Sequence, residues 1–191
     1  MALTREQVVE TAVDLLRRYG LGDLSMRRLA RELGVAPGAI YWHVDSKQEL
    51  IVEVAAVLWE QVPAPSLHLP AGEAVVGYTR ALRAALVTVP DGADVVALAH
   101  AVDPLAVPAL NALYGAVARL VPVASDGAAV VELIVHHLLG SVAAAQTRRQ
   151  AGLVGRCGEG CTCDALFDAG LGVILAGVQA GSAAAWTPAT T

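Results

Sequence analysis

The sequence predicts an all-α protein, with an N-terminal three-helix domain that contains a helix-turn-helix and a larger helical domain after it. Apolar residues recur at helical spacing through most of the 191 residues. Side chains suited to capping helices precede several of these stretches, and no segment shows the alternation of a credible strand. We expect residues 1–45 to form the helix-turn-helix domain, residues 46–62 a connecting helix, and residues 63–191 the second domain.

The first helix is predicted from a pair of capping residues at its start. Thr4 and Gln7 have the spacing of a capping box, in which each side chain bonds the backbone N–H of the other residue. An apolar stripe follows at helical spacing, and either Gly20 or Gly22 ends the helix. The stripe consists of Val9, Ala12, Val13, Leu16 and Tyr19.

Residues 25–47 carry the most specific pattern in the chain, two short helices around a tight turn. Ser25 is suited to cap the second helix, and Gly34 supplies the left-handed residue that ends it. Pro37 fits the first turn of a third helix, because its missing N–H is not needed there. This helix has room for about two turns. The pattern is typical of a helix-turn-helix, whose second helix projects into a DNA major groove.

A fourth helix is predicted to begin at Ser46, where Glu49 completes a second capping-box spacing. Its apolar positions continue to about Val62, and the prolines at positions 63 and 65 end it. Because this helix follows the helix-turn-helix directly, we expect it to join the two domains.

Every segment after residue 70 is predicted to be helical, except for a Gly-rich irregular stretch at 150–163. The centre of 126–149 is apolar around most of its circumference, so that helix must be covered on several sides. Residues 169–186 carry no charge and nearly reach membrane-spanning length, but their many small residues favour a helix buried in a bundle or dimer interface. The predicted helices are 73–89, 91–100 with Asp91 as its cap, 105–121, 126–149 and one that starts at 164.

Charge is distributed unevenly along the chain. Residues 1–50 carry seven Lys/Arg and seven Asp/Glu, whereas residues 51–191 carry six and eleven, so the net charge of −5 lies wholly in the second part. Local basicity on an acidic protein fits a modest DNA footprint better than a nucleic-acid coat. The charged, amphipathic first twenty residues do not resemble a secretory signal, which predicts a cytoplasmic protein.

Residues 25–47 resemble the DNA-binding domain of the tetracycline-repressor (TetR) family. The resemblance rests on the Leu-Gly-Val turn at 33–35, on Tyr41, Trp42 and His43, and on Lys47, and it covers roughly residues 4–60. Weaker matches at 78–93 and 167–177 resemble the ligand-binding and dimerisation domain of the tetracycline repressor's own branch. The resemblance implies a homodimeric repressor that binds a palindromic site in double-stranded DNA and is released by a small-molecule effector.

The same resemblance implies a set of DNA-contacting residues. Lys47, Tyr41 and His43 are expected to meet phosphates, and Arg27 is the best candidate for a bidentate contact with guanine. Trp42 has two open interpretations, a phosphate contact or packing between helices. Arg28 and Arg31 are expected to be solvated or paired with Glu32 rather than bound to bases. The full set is Ser25, Met26, Arg27, Pro37, Gly38, Ala39, Tyr41, Trp42, His43 and Lys47, in which Met26 and residues 37–39 offer only apolar contacts or close backbone approach.

An effector pocket is expected among the helices of the second domain, lined by apolar side chains and a few polar groups. The family's repressor uses a His and a Glu to hold a magnesium–drug chelate, but the matching positions here are Val96 and about Ala144. Neither side chain binds a hard cation, so we expect a flat apolar natural product such as an antibiotic or polyketide, not metal-chelated tetracycline. The candidate lining residues are Tyr78, Leu82, Val96, His100, Leu113, Tyr114, Ile134 and His137.

Three cysteines in the Gly-rich stretch leave a second regulatory hypothesis open. Cys157, Cys161 and Cys163 are weak candidates for binding a soft metal or for oxidising to a disulfide, which would make the protein a thiol- or metal-sensing repressor. The alternative is a flexible loop in which the cysteines are incidental. A helical enzyme or a membrane-associated protein is less favoured, because no catalytic triad order, phosphate loop or His-Glu metal pattern is present in the sequence. We therefore expect no cofactor.

Overall fold

The computed structural model of the chain describes residues 3–121, 124–153 and 162–181, and the described part is helical without a strand. This confirms the all-α prediction. One short 3₁₀ turn, Leu21–Asp23, follows the first helix. The α-helices are α1 Arg5–Tyr19, α2 Met26–Leu33, α3 Pro37–Ile40, α4 Lys47–Trp59, α5 Ala71–Val87, α6 Gly92–Val102, α7 Pro108–Val117, α8 Ala124–Gln150 and α9 Cys163–Gly181.

The helix starts predicted from capping residues are largely observed. The capping box of α1 forms in both directions, with the Gln7 N–H donating to Thr4 Oγ1 at 3.2 Å and the Thr4 N–H to Gln7 Oε1 at 3.0 Å. At α4 only half of the predicted box forms. Ser46 accepts the Glu49 N–H at 3.1 Å, but the Glu49 carboxylate accepts the N–H of Asp45 instead of closing back on Ser46.

The third helix is shorter than expected. Only Pro37–Ile40 is α-helical, and residues 41–43 continue as a turn. After Ile40 the chain closes a turn instead, in which the N–H groups of His43 and Val44 donate to the Ile40 carbonyl at 2.8 and 3.1 Å. The aromatic residues after Ile40 therefore lie on a turn and not on a helix face.

Helix α4 is the element that joins the two halves of the fold. It packs most extensively on α6, and also against α1 and α5. Trp59 at its C-terminal end is buried, and its indole N–H donates to the carbonyl of Leu82 in α5 at 3.0 Å. The buried apolar core runs without interruption from α1 to α9, so the end of α4 is anchored in the C-terminal helices while its start lies beside the helix-turn-helix.

Helices α8 and α9 pack against each other and leave apolar surface uncovered by this chain. Val173 is 73% exposed, and Leu133 and Leu166 are about half exposed. By length and composition alone, Gly127–Gln150 and Cys163–Ala180 are each long and apolar enough to cross a membrane, as is the bent pair α5–α6. Residues 182–186 of the uncharged stretch singled out from the sequence lie outside the described residues.

Candidate nucleic-acid interface

The position of α3 is set by residues on both sides of the turn that precedes it. Ser25 Oγ accepts the Arg28 N–H at 3.2 Å and so caps α2, as predicted. Gly34 ends α2 in the left-handed conformation, with φ 67° and ψ 28°, which favours glycine. Pro37 occupies the first turn of α3, and Ile40 is fully buried. Burial of Ile40 turns the opposite side of α3 towards solvent.

Helix α3 and the turn after it carry six of the ten residues expected to meet DNA. Pro37 and Gly38 are exposed and Ala39 is half-buried. A Cβ added at Gly38 would meet no atom within 4 Å, so the backbone there is open to close approach. In the following turn Tyr41 is 50% and Trp42 is 89% exposed. The alternative in which Trp42 packs between helices is therefore wrong.

Four further candidate residues differ in how exposed their side chains are. Arg27 and Lys47 are exposed, at the start of α2 and of α4, and His43 is half-buried. Met26, by contrast, is only 9% exposed and packs in the core. Its position in the first turn of α2 points the side chain inwards, which contradicts the expectation that it reaches a base.

The arginine pairings differ from those expected. Arg28 forms an ion pair with Asp23 and lies over the ring of Tyr19, with 4.1 Å from its guanidinium carbon to the ring centroid. Glu32, its expected partner, lies 4.0 Å from Arg18 instead. Arg28 therefore makes contacts within the N-terminal helices, whereas Arg31 is exposed to solvent.

A charged cluster holds the N-terminal end of α4 against α1. Arg5 Nε donates to Glu53 at 2.7 Å and Arg5 also donates to Glu49 at 2.5 Å, and these carboxylates raise the pKa of the guanidinium. The N–H of Asp45 and then the guanidinium of Arg5 lower the pKa of Glu49. Since Lys47 begins this helix, the cluster also sets the position of Lys47 relative to α1.

A second connection joins the helix-turn-helix to the C-terminal helices at the α5–α6 turn. Asp91 was expected to cap α6, but its side chain accepts the N–H of Leu21 at 2.8 Å instead. Asp91 adopts a left-handed conformation with φ 53°, the only non-glycine residue in the described chain to do so. It lies so close to Gly20 (φ 79°) that a Cβ at Gly20 would lie 2.5 Å from Asp91 Oδ2. This contact leaves no space for a side chain at position 20.

The same turn is also held by α8. The buried Gln146 donates to the carbonyls of Val89 at 2.5 Å and Leu86 at 3.3 Å, and Arg149 donates to that of Val87 at 2.7 Å. The α5–α6 turn therefore bridges α8 and the helix-turn-helix through side chain–backbone hydrogen bonds.

A cavity of about 420 Å³ lies between the C-terminal end of α4, the segment after it, α5 and α7. Its volume is within the range of small-molecule sites. The polar side chain of Tyr78 in its wall already has a hydrogen-bond partner, since the hydroxyl donates to the carbonyl of Ala109 at 3.0 Å. Burial raises the pKa of Tyr78. The lining residues are Ala56, Val57, Trp59, Glu60, Val62, Ala64, Tyr78, Pro108, Ala109 and Ala112.

The structure does not bring the eight candidate pocket residues together. Of these, only Tyr78 lines the cavity. His100 and Tyr114 converge on Glu132 instead, with the His100 Nε2 to Glu132 Oε1 distance at 3.0 Å and the Tyr114 hydroxyl donating to the same oxygen at 3.1 Å. These two bonds lower the pKa of Glu132. Four others, Leu82, Val96, Leu113 and Ile134, are fully buried core residues.

His137 is the eighth candidate, and it belongs to another place in the fold. Its ring stacks on that of Phe167, with 5.1 Å between centroids, and its Nε2 lies 2.9 Å from the Phe167 carbonyl oxygen. It lines a smaller cavity of about 290 Å³ between α8 and α9. The lining contributed by α4 and α7 was not predicted from the sequence. Their small residues Ala56, Ala109 and Ala112 leave the space that larger side chains would fill.

The residues considered for metal binding or thiol chemistry are Val96, Ala144 and the three cysteines. Val96 is buried and Ala144 is exposed, and neither side chain has a donor atom for a cation. Cys157 and Cys161 lie outside the described residues, and Cys163, at the start of α9, is disulfide-bonded. Within the described ranges no group of three or more His, Cys, Asp or Glu side chains is placed to hold a metal ion.

Comparison with known proteins identifies relatives for the N-terminal part and for the whole fold. Residues 8–54 match the family described as bacterial regulatory proteins, tetR family. The class D tetracycline repressor of Escherichia coli is 35% identical over 97 residues, which are 49% of this chain. The aligned part spans 44% of that repressor, so the chain matches less than half of this curated relative.

Two solved structures are similar over nearly the whole chain. BioQ of Mycobacterium smegmatis is 32% identical, with a TM-score of 0.82, and the match covers 93% of this chain and 98% of that one. A BioQ structure in complex with its natural double-stranded DNA operator is 31% identical, with a TM-score of 0.80, and covers 93% and 99%. These comparisons lend no support to a cysteine-based sensor.

Proposed function

This chain belongs to the TetR family of bacterial regulatory proteins, and on that premise we propose that it is a DNA-binding transcriptional repressor. The observation that carries the proposal is the exposure of Trp42 and Tyr41 beside a buried Ile40. A short helix that buries one apolar residue, followed by a turn that exposes two aromatic side chains to solvent, presents a surface suited to a partner. Arg27 and Lys47, both exposed, supply the positive charge that a phosphate backbone attracts.

We propose that the protein acts as a homodimer on a palindromic operator. The uncovered apolar surface of α8 and α9, including Leu133 and Val173, supports pairing with a second copy of the chain. The same surface accounts for the membrane-like composition of these helices without a membrane. Two recognition helices of such a dimer enter successive major grooves about 34–36 Å apart. We propose a cytoplasmic regulator without enzymatic activity, as expected for this family.

The cavity between α4, α5 and α7 is the proposed effector site. Its lining is largely apolar, which favours a small apolar molecule such as an antibiotic or polyketide. Magnesium-chelated tetracycline is not proposed, because Val96 and Ala144 have no oxygen ligands for the cation. The cavity touches the C-terminal end of α4, whose other end carries Lys47. A ligand that favours a different tilt of α4 therefore shifts the spacing of the two recognition helices.

Footprinting on the intergenic DNA beside the protein's own gene tests the proposal. We expect a protected palindrome, and Arg27→Ala to weaken its binding by about 10- to 100-fold, since a bidentate guanine contact contributes about 1–3 kcal/mol. Arg80→Ala is the matched control, because Arg80 of α5 pairs with Asp168 of α9 and is not among the residues expected to meet DNA, so its loss leaves binding unchanged. Absence of a protected palindrome, together with an Arg27→Ala protein that binds DNA like the wild type, contradicts the proposed function.

A further inference from the structure

The hydrogen-bonding groups of the cavity between α4, α5 and α7 indicate the charge of its ligand, and its apolar walls indicate the ligand's apolar body. Building on the proposed effector site, we propose that its ligand is an apolar molecule that carries a protonated amine, and that Glu60 recognises the amine. The proposal follows from which hydrogen-bonding groups in the cavity are already used and which remain.

The side-chain donors of the cavity are already used by the protein. The Trp59 indole N–H donates to the Leu82 carbonyl, and the Tyr78 hydroxyl donates to the Ala109 carbonyl, each at 3.0 Å. Redirecting either donor to a ligand would break its bond to the carbonyl, so the ligand would exchange one hydrogen bond for another. A ligand that needs hydrogen-bond donors, such as a carboxylate, therefore gains little from these two side chains.

The cavity keeps a strong acceptor. Glu60 is the one charged residue among its described lining residues. The carboxylate forms no ion pair with any residue in the described part of the chain, and it lies at the C-terminal end of α4. A helix C-terminus carries about half a unit of negative charge, which adds to that of the carboxylate.

The opposing positive contribution is smaller. Helix α7 directs its N-terminal end at the cavity through Pro108 and Ala109. That end carries about half a positive charge, and Pro108 supplies no N–H to bind an anion. Because the half charges of the two helix ends oppose each other, the full charge of Glu60 determines the sign of the site. The favoured ligand has an apolar body and one cationic donor at its edge.

The wall beside Glu60 is held in place by the protein itself. Arg119 of the segment after α7 donates to the carbonyls of Ser66, Leu67 and Leu69, at 3.2, 3.3 and 2.8 Å. These bonds hold the segment between α4 and α5, which contributes Val62 and Ala64 to the cavity. The position of the amine site relative to the apolar walls is therefore defined before a ligand binds, which favours selectivity.

A matched series of probes tests the charge of the ligand on the full-length wild-type protein. Phenylbutylamine, phenylbutanol and phenylbutyrate share an apolar body and differ at one end, which is cationic, neutral or anionic at neutral pH. Ligand-observed NMR titration measures the three dissociation constants. We expect the amine to bind about fivefold more tightly than the alcohol, as a partly exposed ion pair allows, and the carboxylate to bind most weakly. High ionic strength reduces the advantage of the amine.

Three variants locate this preference. Glu60→Gln makes the amine and the alcohol bind about equally, within roughly twofold. The control Glu73→Gln, which removes an exposed carboxylate in the first turn of α5, leaves the preference unchanged. Ala112→Phe fills the cavity and weakens all three probes, with folding checked by circular dichroism.

The inference is overturned if the alcohol binds as tightly as the amine, if Glu60→Gln leaves their ratio unchanged, if Ala112→Phe has no effect, or if the amine shows no saturable binding. Each of these results leaves the operator footprint intact and so does not bear on DNA binding. Loss of the footprint in the wild-type protein contradicts the proposed function instead.

Discussion

Most helices before residue 60 begin differently from the three helices α5 to α7. Thr4, Ser25 and Ser46 cap α1, α2 and α4 with their side chains, and only the short α3 begins at a proline without such a cap. Helices α5, α6 and α7 have no side-chain bond at their starts, and two of them begin beside a proline, although at α9 Thr162 again accepts an N–H, that of Ala165, at 3.2 Å. The N-terminal half is therefore specified largely by local signals, whereas α5 to α7 rely on packing of apolar faces.

This difference has a functional reason. The helix-turn-helix must hold a single turn of helix, α3, at a defined angle, and four residues are too few to be stable by themselves. Caps and the left-handed Gly34 supply the precision that its small core cannot. The second half contributes α5 and α7 to the cavity, and because no side-chain cap holds their starts, these two helices are able to shift around a ligand.

The largest expected effect is in the second half. Leu82→Ala removes a fully buried side chain of α5, and we expect it to lower the free energy of unfolding by about 2–5 kcal/mol. Leu98→Ala, at a position 38% exposed on α6, is the control and costs much less. Urea denaturation measures both. A loss below about 1 kcal/mol for Leu82→Ala means that packing does not dominate this half.

The next largest effect is at the contact between the halves. Gly20→Ala places a Cβ 2.5 Å from Asp91 Oδ2 at a positive φ, so we expect a destabilisation of about 1–3 kcal/mol. It also weakens DNA binding, because the Asp91–Leu21 bond no longer fits. Gly22→Ala is the matched control, since its Cβ meets nothing within 4 Å and its φ is ordinary. Equal stability of the two variants would show that the halves are not coupled here.

A smaller effect is expected at the caps. Ser25→Ala leaves the Arg28 N–H without its acceptor and lowers the free energy of unfolding by about 1 kcal/mol. Thr88→Ala, at the exposed end of α5, changes it by less than about 0.5 kcal/mol. In Ser25→Ala the free energy of operator binding changes by more than the free energy of unfolding, because the cap orients the start of α2. If both variants behave alike, local signals do not define the N-terminal half.

The smallest effect is a pH dependence at the α1–α4 junction. The pKa of Glu49 is lowered in the folded protein, so its carboxylate stabilises the fold above the unfolded pKa of about 4.5 and loses that contribution as pH falls through the lower folded value. Denaturation between pH 6 and pH 3 should therefore show a steeper loss of stability in the wild type than in Glu49→Gln. Identical slopes would mean that the cluster around Arg5 contributes nothing to stability.

Prediction from sequence was most successful where a single residue has one dominant conformation. Gly34 and Pro37 define the turn between α2 and α3 because glycine tolerates positive φ and proline lacks an N–H. The proposed effector site was a different case. Tyr78 was identified, but the walls supplied by α4 and α7 were not, because a cavity arises from the small size of residues that come from separate helices.

Asp91 shows most clearly which side-chain directions the sequence does not predict. Its place before α6 predicted a cap, yet its carboxylate bonds the amide of Leu21, which lies 70 residues earlier in the chain. Met26 likewise follows a cap in a segment rich in arginine, and only the surrounding core decides that it points inwards. Side-chain direction at such positions depends on neighbours that local spacing does not reveal.

The amino-acid order by itself determined the all-α class, the helix-turn-helix and the sites where its helices begin, because these depend on backbone preferences of single residues and their nearest neighbours. Only the tertiary structure decided the cavity beside Glu60, the bridge through Asp91 and the exposure of Trp42. Those features depend on which distant helices meet and how much space they leave. Packing between helices, and not the conformational preference of single residues, sets the space between them.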